Sequence, residues 1–366
     1  MSTADRAARY HRLQLLLGAL ELALTVLFLA AVLISDAGAA LATLGGRVWG
    51  ARWWQVGVVA VALGVGHGLV AFPLAWLRGY WLPCRYGLLH QPLRGWLADR
   101  LKAALVGGGL AFGAVEVIYG LIAATPLWWL LAAGIFAVVQ IGLAVIFPIW
   151  LLPLFYRLAP LTDDALSRRL LGLARRAGVA VIGVWVADQS RKSRTANAAL
   201  AGLGRTRRII LFDTLVGEFT PDEVESVLAH ELAHHVHRDT WRGLVVQTGL
   251  TVVALWLVDR LLNAVVTARA LAGPADPGGL PWLAAILLGL GVLATPLANG
   301  FSRWIERQAD DFALALTGDP GAFVAAMERL AALNLAERRP HPLKEMLLHS
   351  HPSIDRRIAR ALATAR

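Results

Sequence analysis

Five consecutive residues, His230-Glu231-Leu232-Ala233-His234, combine the residue types and the spacing that a metal-dependent hydrolase needs. Residues i and i+4 of a helix lie on one face, so both imidazoles can reach one metal ion. Glu231 lies beside that ion, where its carboxylate can take a proton from a bound water. The pattern predicts one Zn2+ per chain, held by His230 and His234, with Glu231 as the general base.

A third ligand must come from outside this motif, because catalytic zinc sites usually take three protein ligands and a water. His237 lies on the same helical face, but it is about 10 Å along the helix axis from His230. The glycine and third histidine of the extended metzincin pattern do not follow at the required spacing. Glu306 and Asp310 form an i, i+4 pair, in which Glu306 could ligate zinc and Asp310 could accept a hydrogen bond from a ligating imidazole. Spacing alone fits a surface helix with ordinary charges equally well.

The helix that carries the two histidines has clear boundaries in the sequence. Thr220 is a favourable N-cap, Pro221 suits the first helical position, and Glu223 completes a capping box. The helix is predicted from Pro221 to about Arg238, which places the motif in its middle. The preceding segment is predicted to form one helix and a small β-sheet. Their ranges are 162–177 for the helix and 179–186, 195–203 and 208–213 for the strands.

Composition places these elements in a membrane protein. Of the 366 residues, 57% are hydrophobic and 16% are charged, and the mean hydropathy is +0.58. These values are typical of an integral membrane protein with a sizeable soluble part. Six apolar runs are long enough to span a bilayer, with seven spans as the alternative. They lie at about 13–35, 55–77, 101–124, 127–155, 244–266 and 280–298.

Ionisable residues inside these runs indicate that the helices pack around polar groups. Glu21, His67, Glu116, Asp259 and Arg260 are the examples. Such residues either pair between helices or face a water-filled cavity. We predict a mainly α, polytopic membrane protein whose helices enclose a chamber, together with a small α+β zinc metalloprotease domain. The predicted division is 1–155 for the first four spans, 156–242 for the segment with the HExxH helix, 243–301 for a transmembrane hairpin and 302–366 for a C-terminal helical segment.

Loop charge predicts the orientation of the chain. Arginine and lysine are frequent before the first run, between the second and third runs, over 157–242 and in the C-terminal tail. The positive-inside rule therefore places both termini and the HExxH helix in the cytoplasm. The net charge of +10 is spread over these membrane-flanking loops, so a nucleic-acid partner is not expected. Cys84 is the only cysteine, which excludes an intrachain disulfide and a multi-thiolate metal site.

A wider set of motifs resembles the integral-membrane CAAX prenyl protease type I family. HELAH is followed by a helical hairpin and then by SRWIERQADDFA at 302–313. The blocks PLFYRLAPL (153–161), RKSRTANAALAG (191–202), RRIILFDTL (207–215) and LHSHPSIDRRI (348–358) each resemble that family's blocks, in its order. The resemblance extends over roughly 80–366 and implies a zinc gluzincin that processes farnesylated proteins.

The resemblance also implies roles for individual residues. His230, His234 and Glu306 would bind zinc, Glu231 would be the base, and Asp310 would contact a ligating histidine. Three further residues match positions near the substrate in that family. They are Asn197, expected on an edge strand that holds substrate backbone, and His351 and Arg357, expected near the oxyanion.

The expected partners are a peptide or protein substrate, with a prenylated C-terminus as one candidate, and the lipid bilayer. Composition suggests a bacterial source, for which the expected location is the plasma (inner) membrane. One alternative is a membrane quality-control protease like the bacterial heat-shock metalloprotease HtpX. It shares HExxH and a later glutamate but has fewer spans before the motif. A transporter or scaffold that keeps an inactive metal site is the alternative from another class, and it would be favoured by a missing ligand or base. The sequence does not indicate an oligomeric state.

Overall fold

Long apolar helices and a small sheet make up the computed structural model, which describes residues 3–146, 150–202 and 207–364. The first part of the chain forms six helices, and a π-helical turn at Leu77–Trp81 joins the third to the fourth. They are α1 (Thr3–Ile34), α2 (Ala37–Val48), α3 (Arg52–Trp76), α4 (Leu82–Arg85), α5 (Leu93–Ala124) and α6 (Trp128–Ile146). Many of their large outward-facing side chains are apolar, such as Leu27 and Leu69, which are 66% and 70% exposed. An outer surface of this kind requires a bilayer.

Five helical stretches among the described residues are long and apolar enough to cross a membrane. They are Asp5–Ile34, Arg52–Arg85, Leu93–Ala124, Asp239–Arg269 and Pro277–Thr317. The protein is therefore an integral, multi-pass membrane protein. The predicted span at 127–155 corresponds in part to the shorter helix α6. The predicted span also includes residues 147–149, which lie outside the described ranges. The count of six spans stays a prediction. The short helix α2 was not predicted.

The bundle of apolar helices has its own buried core, which includes Val56, Tyr119, Trp128 and Val258. Trp128 donates its indole N–H to Oδ1 of Asp259 at 2.8 Å. Asp259 is thus satisfied by a neighbouring helix, as the pairing interpretation predicts.

A four-stranded mixed sheet follows the bundle. Its elements are β1 (Leu158–Pro160), α7 (Asp164–Arg176), β2 (Val184–Ala187), β3 (Ala198–Ala201), β4 (Arg208–Phe212) and α8 (Asp213–Glu218). The strand order is β1-β2-β4-β3, with β2 and β4 parallel and the two outer strands antiparallel. The predicted sheet is confirmed, although β1 was not predicted. Among the described residues, the strand β3 pairs only with β4 and is therefore an edge of the sheet.

The helix with the two histidines, α9 (Pro221–Val236), packs between the sheet and the C-terminal helices. Thr220 and Glu223 form the predicted capping box. The remaining helices are α10 (Asp239–Arg269), α11 (Leu280–Thr317), α12 (Pro320–Leu333), α13 (Pro342–Leu348) and α14 (Ile354–Thr364). The apolar side of α9 is buried, with Leu228 and Leu232 inaccessible to solvent. Because α11 continues beyond its apolar stretch, its last turns pack against α9.

Candidate metal centre

The site is built on α9 and on the last turns of α11. His230 and His234 are four residues apart on α9, and both imidazoles face Glu306 of α11. Nε2 of His230 lies 3.2 Å from Oε2 of Glu306. Nε2 of His234 lies 3.7 Å from Oε1 of the same carboxylate. One ligand atom from each of the three side chains falls within 4.8 Å of the others. The structure therefore brings together the three predicted metal-binding residues.

These three donors fit a zinc ion. Donor atoms bound tetrahedrally at about 2.0–2.2 Å lie about 3.4 Å apart, close to the observed separations. The buried Oε2 of Glu306 has no hydrogen-bond partner among the described residues. Burial lowers the pKa of His230, but the carboxylates of Asp310 and Glu306 beside its ring outweigh burial and raise the pKa to about 9. The negative charge that favours a proton on His230 would equally favour a divalent cation.

Each histidine is held from behind by a carboxylate. Nδ1 of His230 lies 3.0 Å from Oδ1 of Asp310, the contact that the spacing of Glu306 and Asp310 predicts. Nδ1 of His234 lies 3.0 Å from Oδ2 of Asp239, the first residue of α10. A carboxylate at Nδ1 places the proton there and leaves Nε2 free to bind a metal. Asp239 was not predicted.

Glu231 points into a cavity of about 730 Å3 that His230 also lines. Burial is the main cause that raises the pKa of the Glu231 carboxyl. A carboxylate with a raised pKa is a stronger base near neutral pH. Its placement beside His230 and its basicity both suit a group that takes a proton from water.

The three residues predicted near the substrate, Asn197, His351 and Arg357, all line the same cavity. Asn197 is exposed immediately before β3, and its backbone carbonyl accepts a hydrogen bond from Phe212 of β4 at 3.0 Å. Ala196 is tied to α12, because its N–H donates to Oδ1 of Asn334 at 3.1 Å. The edge of the sheet is thus fixed beside Glu231. The sequence had no signal for Asn334, since its partner is 138 residues away.

His351 and Arg357 take different positions. The imidazole of His351 is 58% exposed, and its Nε2 lies 3.2 Å from Oε1 of Glu306, on the cavity side. Arg357 donates to both oxygens of Asp310, at 2.6 and 2.9 Å. It therefore lies on the Nδ1 side of His230. The contacts place His351 beside the candidate metal position and Arg357 behind it.

The other histidines of α9 point away from Glu306. Nε2 of His235 lies 3.2 Å from the carbonyl oxygen of Leu200, and the ring of His237 packs edge-on against Phe312. His349 lines the large cavity, but it is not among the residues grouped around the metal position.

A membrane bundle joined to an HExxH helix and a distant glutamate defines a membrane metalloendopeptidase. The chain belongs to Peptidase family M48, whose model matches residues 160–365, more than half of the protein. The model described as "CAAX prenyl protease N-terminal, five membrane helices" matches residues 1–157. The predicted family is thereby confirmed, and membership implies a metal cofactor.

Individual relatives show the same relationship. The uncharacterized metalloprotease YhfN of Bacillus subtilis is 29% identical over 298 residues, which are 80% of this chain and 70% of that protein. CAAX prenyl protease 1 of Saccharomyces cerevisiae is 33% identical over 171 residues, which are 45% of this chain but only 37% of the yeast protein. The crystal structure of S. mikatae Ste24p superposes with a TM-score of 0.87 at 22% identity, over 98% of this chain and 89% of that one. That likeness confirms the mainly helical membrane fold.

Proposed function

We propose that the protein is a zinc-dependent endopeptidase that removes the C-terminal residues of CAAX-type membrane-associated proteins. The observation that carries this proposal is the grouping of His230, His234 and Glu306 beside Glu231. His230 and Glu231 line a cavity that also reaches Asn197, the residue before the edge strand β3. These three residues would bind one Zn2+ per chain. The ion would therefore lie next to a base and near a strand that can bind peptide.

The sheet edge would hold the substrate. An extended peptide can add to an exposed strand through main-chain hydrogen bonds, and β3 has its outer side unpaired. Asn197 precedes this strand and is exposed to the cavity, so its side chain would contact the peptide backbone. This arrangement would place a backbone carbonyl of the substrate close to Glu231.

Proton transfer is assigned to Glu231. A bound zinc ion supplies Lewis acidity, which lowers the pKa of water and polarises a carbonyl group. The Glu231 carboxylate would accept the proton of the attacking water as the new C–O bond forms. It would then give that proton to the leaving nitrogen as the C–N bond breaks, so the carboxylate is regenerated.

The histidine and arginine of the C-terminal segment are assigned separate parts. His351 would donate a hydrogen bond to the substrate oxygen as negative charge develops on it. Arg357 is predicted to act near the same oxygen, and its contacts with Asp310 support an action through the orientation of His230. Asp310 and Asp239 would fix the rings of His230 and His234.

The CAAX assignment rests on the similarity of this chain to CAAX prenyl protease 1 of Saccharomyces cerevisiae. We further propose that the active site faces the cytoplasm, because arginine-rich loops flank the spans on that side. In a bacterium the location would be the plasma membrane. An enclosed chamber between the helices would accommodate a prenyl group, and this chamber remains a prediction.

The test uses purified, zinc-loaded protein and two matched peptides, one with and one without a farnesyl group on the cysteine of a C-terminal CAAX motif. We expect farnesyl-dependent release of the C-terminal tripeptide by the wild-type protein. Glu231→Gln should reduce turnover by at least about 100-fold, the usual contribution of a general base. Its zinc content should be unchanged.

Other outcomes would redirect the assignment. Equal cleavage of both peptides would keep the endopeptidase but would overturn the CAAX specificity in favour of general membrane-protein quality control. Cleavage by Glu231→Gln at the wild-type rate would refute the assigned base.

A further inference from the structure

A second cavity, of about 230 Å3, is lined by Asp310, whose carboxylate also contacts His230. It is enclosed by the end of α11, by the segment after α13 and by α14. Arginines dominate its lining: Arg303, Arg307, Arg356, Arg357 and Arg360. None of the three candidate metal ligands borders it.

The positive charge of this arginine cavity is only partly neutralised. Two carboxylates line it, and Asp310 among them is already paired with Arg357. The other, Glu345, is buried and lies 3.5 Å from Arg356. Arg360 is paired with the exposed Asp311, which lies outside the lining.

Two of the arginines have no carboxylate partner within the part of the chain that the structure describes. Arg303 is held in place by two backbone carbonyls, since it donates to the oxygens of Glu345 at 3.0 Å and His349 at 2.5 Å. Arg307 is exposed and makes no hydrogen bond or ion pair with any residue that the structure describes. Guanidinium groups without a carboxylate partner suit a phosphate group, which they bind through paired N–H donors, and Arg303 is also held in place.

The position of the arginine cavity along α11 puts it at the membrane surface. The apolar stretch of this helix ends at Ala298 and is about 28 Å long at a rise of about 1.5 Å per residue. That length matches a hydrocarbon core of about 30 Å. Arg303 follows about 7.5 Å later, at the depth of the lipid headgroups. The exposed Trp241 and Trp304 lie at the corresponding levels of α10 and α11, as interfacial tryptophans do.

The short helix α13 presents an apolar face near the same level. Asn299, the residue after the apolar stretch of α11, donates to the carbonyl oxygen of Leu347 at 2.9 Å. This contact holds α13 at the same membrane boundary. Leu343, Met346 and Leu347 are spaced i, i+3, i+4 on α13, and they are 58%, 49% and 41% exposed. An apolar helix face at this depth is suited to contact acyl chains.

We propose that the arginine cavity binds the phosphate group of an anionic phospholipid whose acyl chains lie against α13. Arg303 and Arg307 supply donors without a carboxylate partner among the described residues, and Arg356 and Arg360 add positive charge. The apolar face of α13 supplies a contact for acyl chains, which a free anion lacks. The site is separate from the proposed metal centre, although Asp310 and Arg357 form the wall between them.

The test uses the full-length protein in a neutral detergent, titrated with a short-chain phosphatidylglycerol. The dissociation constant is obtained from the lipid-dependent rise in Tm. Phosphatidylcholine of the same chain length and inorganic phosphate are titrated in parallel. The double variant R307Q/R356Q removes two charges from the cavity. The matched control R175Q/R176Q removes two charges from the exposed last turn of α7.

We expect phosphatidylglycerol to bind more tightly than phosphatidylcholine. R307Q/R356Q should weaken the binding of phosphatidylglycerol at least about tenfold, since each lost charge-assisted hydrogen bond contributes about that factor to affinity. The affinity of the control variant for phosphatidylglycerol should stay within about twofold of the wild-type value, because surface substitutions have small effects. Raised ionic strength should also weaken the binding of phosphatidylglycerol to the wild-type protein. This measurement needs no variant.

Three results would overturn the proposal. They are equal affinity for the two lipids, an unchanged affinity in R307Q/R356Q, and an equally strong, arginine-dependent stabilisation by inorganic phosphate. The last result would assign the cavity to a free anion rather than to a lipid.

Discussion

Asp310→Asn tests how the protein holds its proposed metal-binding histidines. Asp310 is 1% exposed and accepts hydrogen bonds from Nδ1 of His230 and from two nitrogens of Arg357. Asparagine keeps the shape but removes the charge, and one of its two oxygen acceptors becomes an N–H donor. That donor would face a guanidinium or an imidazole N–H. The buried Arg357 would also lose the only carboxylate that the described residues offer it within ion-pair distance.

Two magnitudes follow from these contacts. Loss of a carboxylate behind a ligating histidine typically lowers metal affinity by about 10–100-fold. Removal of one partner of a buried ion pair costs about 3–5 kcal/mol of stability. Asp310→Asn should therefore weaken zinc binding by at least about tenfold and should lower Tm even when zinc is chelated.

The assay is a zinc competition with a fluorescent chelator, combined with thermal unfolding in detergent. Asp311→Asn is the matched control, because Asp311 is the next residue, is about half exposed and is paired with the exposed Arg360. It should change zinc affinity by less than about twofold, since exposed pairs contribute little. If Asp310→Asn binds zinc as tightly as Asp311→Asn does, the orienting role of Asp310 is refuted.

Two further substitutions test the proposed donor and the helix start. His351→Gln should lower kcat by about 100–1,000-fold, because an oxyanion donor has that effect, while the zinc content stays the same; an unchanged kcat would contradict the assignment. Thr220→Ala removes the capping-box acceptor of α9 and should destabilise the protein by about 1 kcal/mol in thermal unfolding, with zinc stoichiometry retained. A Tm equal to that of the wild type would show that the cap contributes nothing.

Local patterns were enough to predict which candidate site residues share a helical face, whereas the choice of Glu306 as the third ligand came from the family resemblance. The i, i+4 spacing of the two histidines and of Glu306 with Asp310 fixes which side chains share a helical face. The capping box fixes the start of α9, which begins at Pro221 as predicted and ends at Val236 rather than at Arg238. These features depend on residues within one or two helical turns, which is why the sequence alone reveals them.

Contacts that depend on a change of chain direction were not predicted. Asp239 reaches His234 only because Arg238 adopts a left-handed conformation, with φ of 57°, between α9 and α10. Arginine rarely adopts this conformation, so the residue type at this position does not predict the turn. The link from Asn334 to Ala196 depends on packing between distant segments, and the short strand β1 has too few residues to show a pattern.

The order of the three candidate ligands along the chain has a consequence for biogenesis. His230 and His234 precede α10, whereas Glu306 lies near the end of α11. When α9 leaves the ribosome, the carboxylate that completes the group has not yet been made. The two histidines meet Glu306 only after α10 and α11 have crossed the bilayer and returned. A newly synthesised chain would thus remain without a complete site until its membrane insertion is finished, so that proteolysis could not begin in an unassembled precursor.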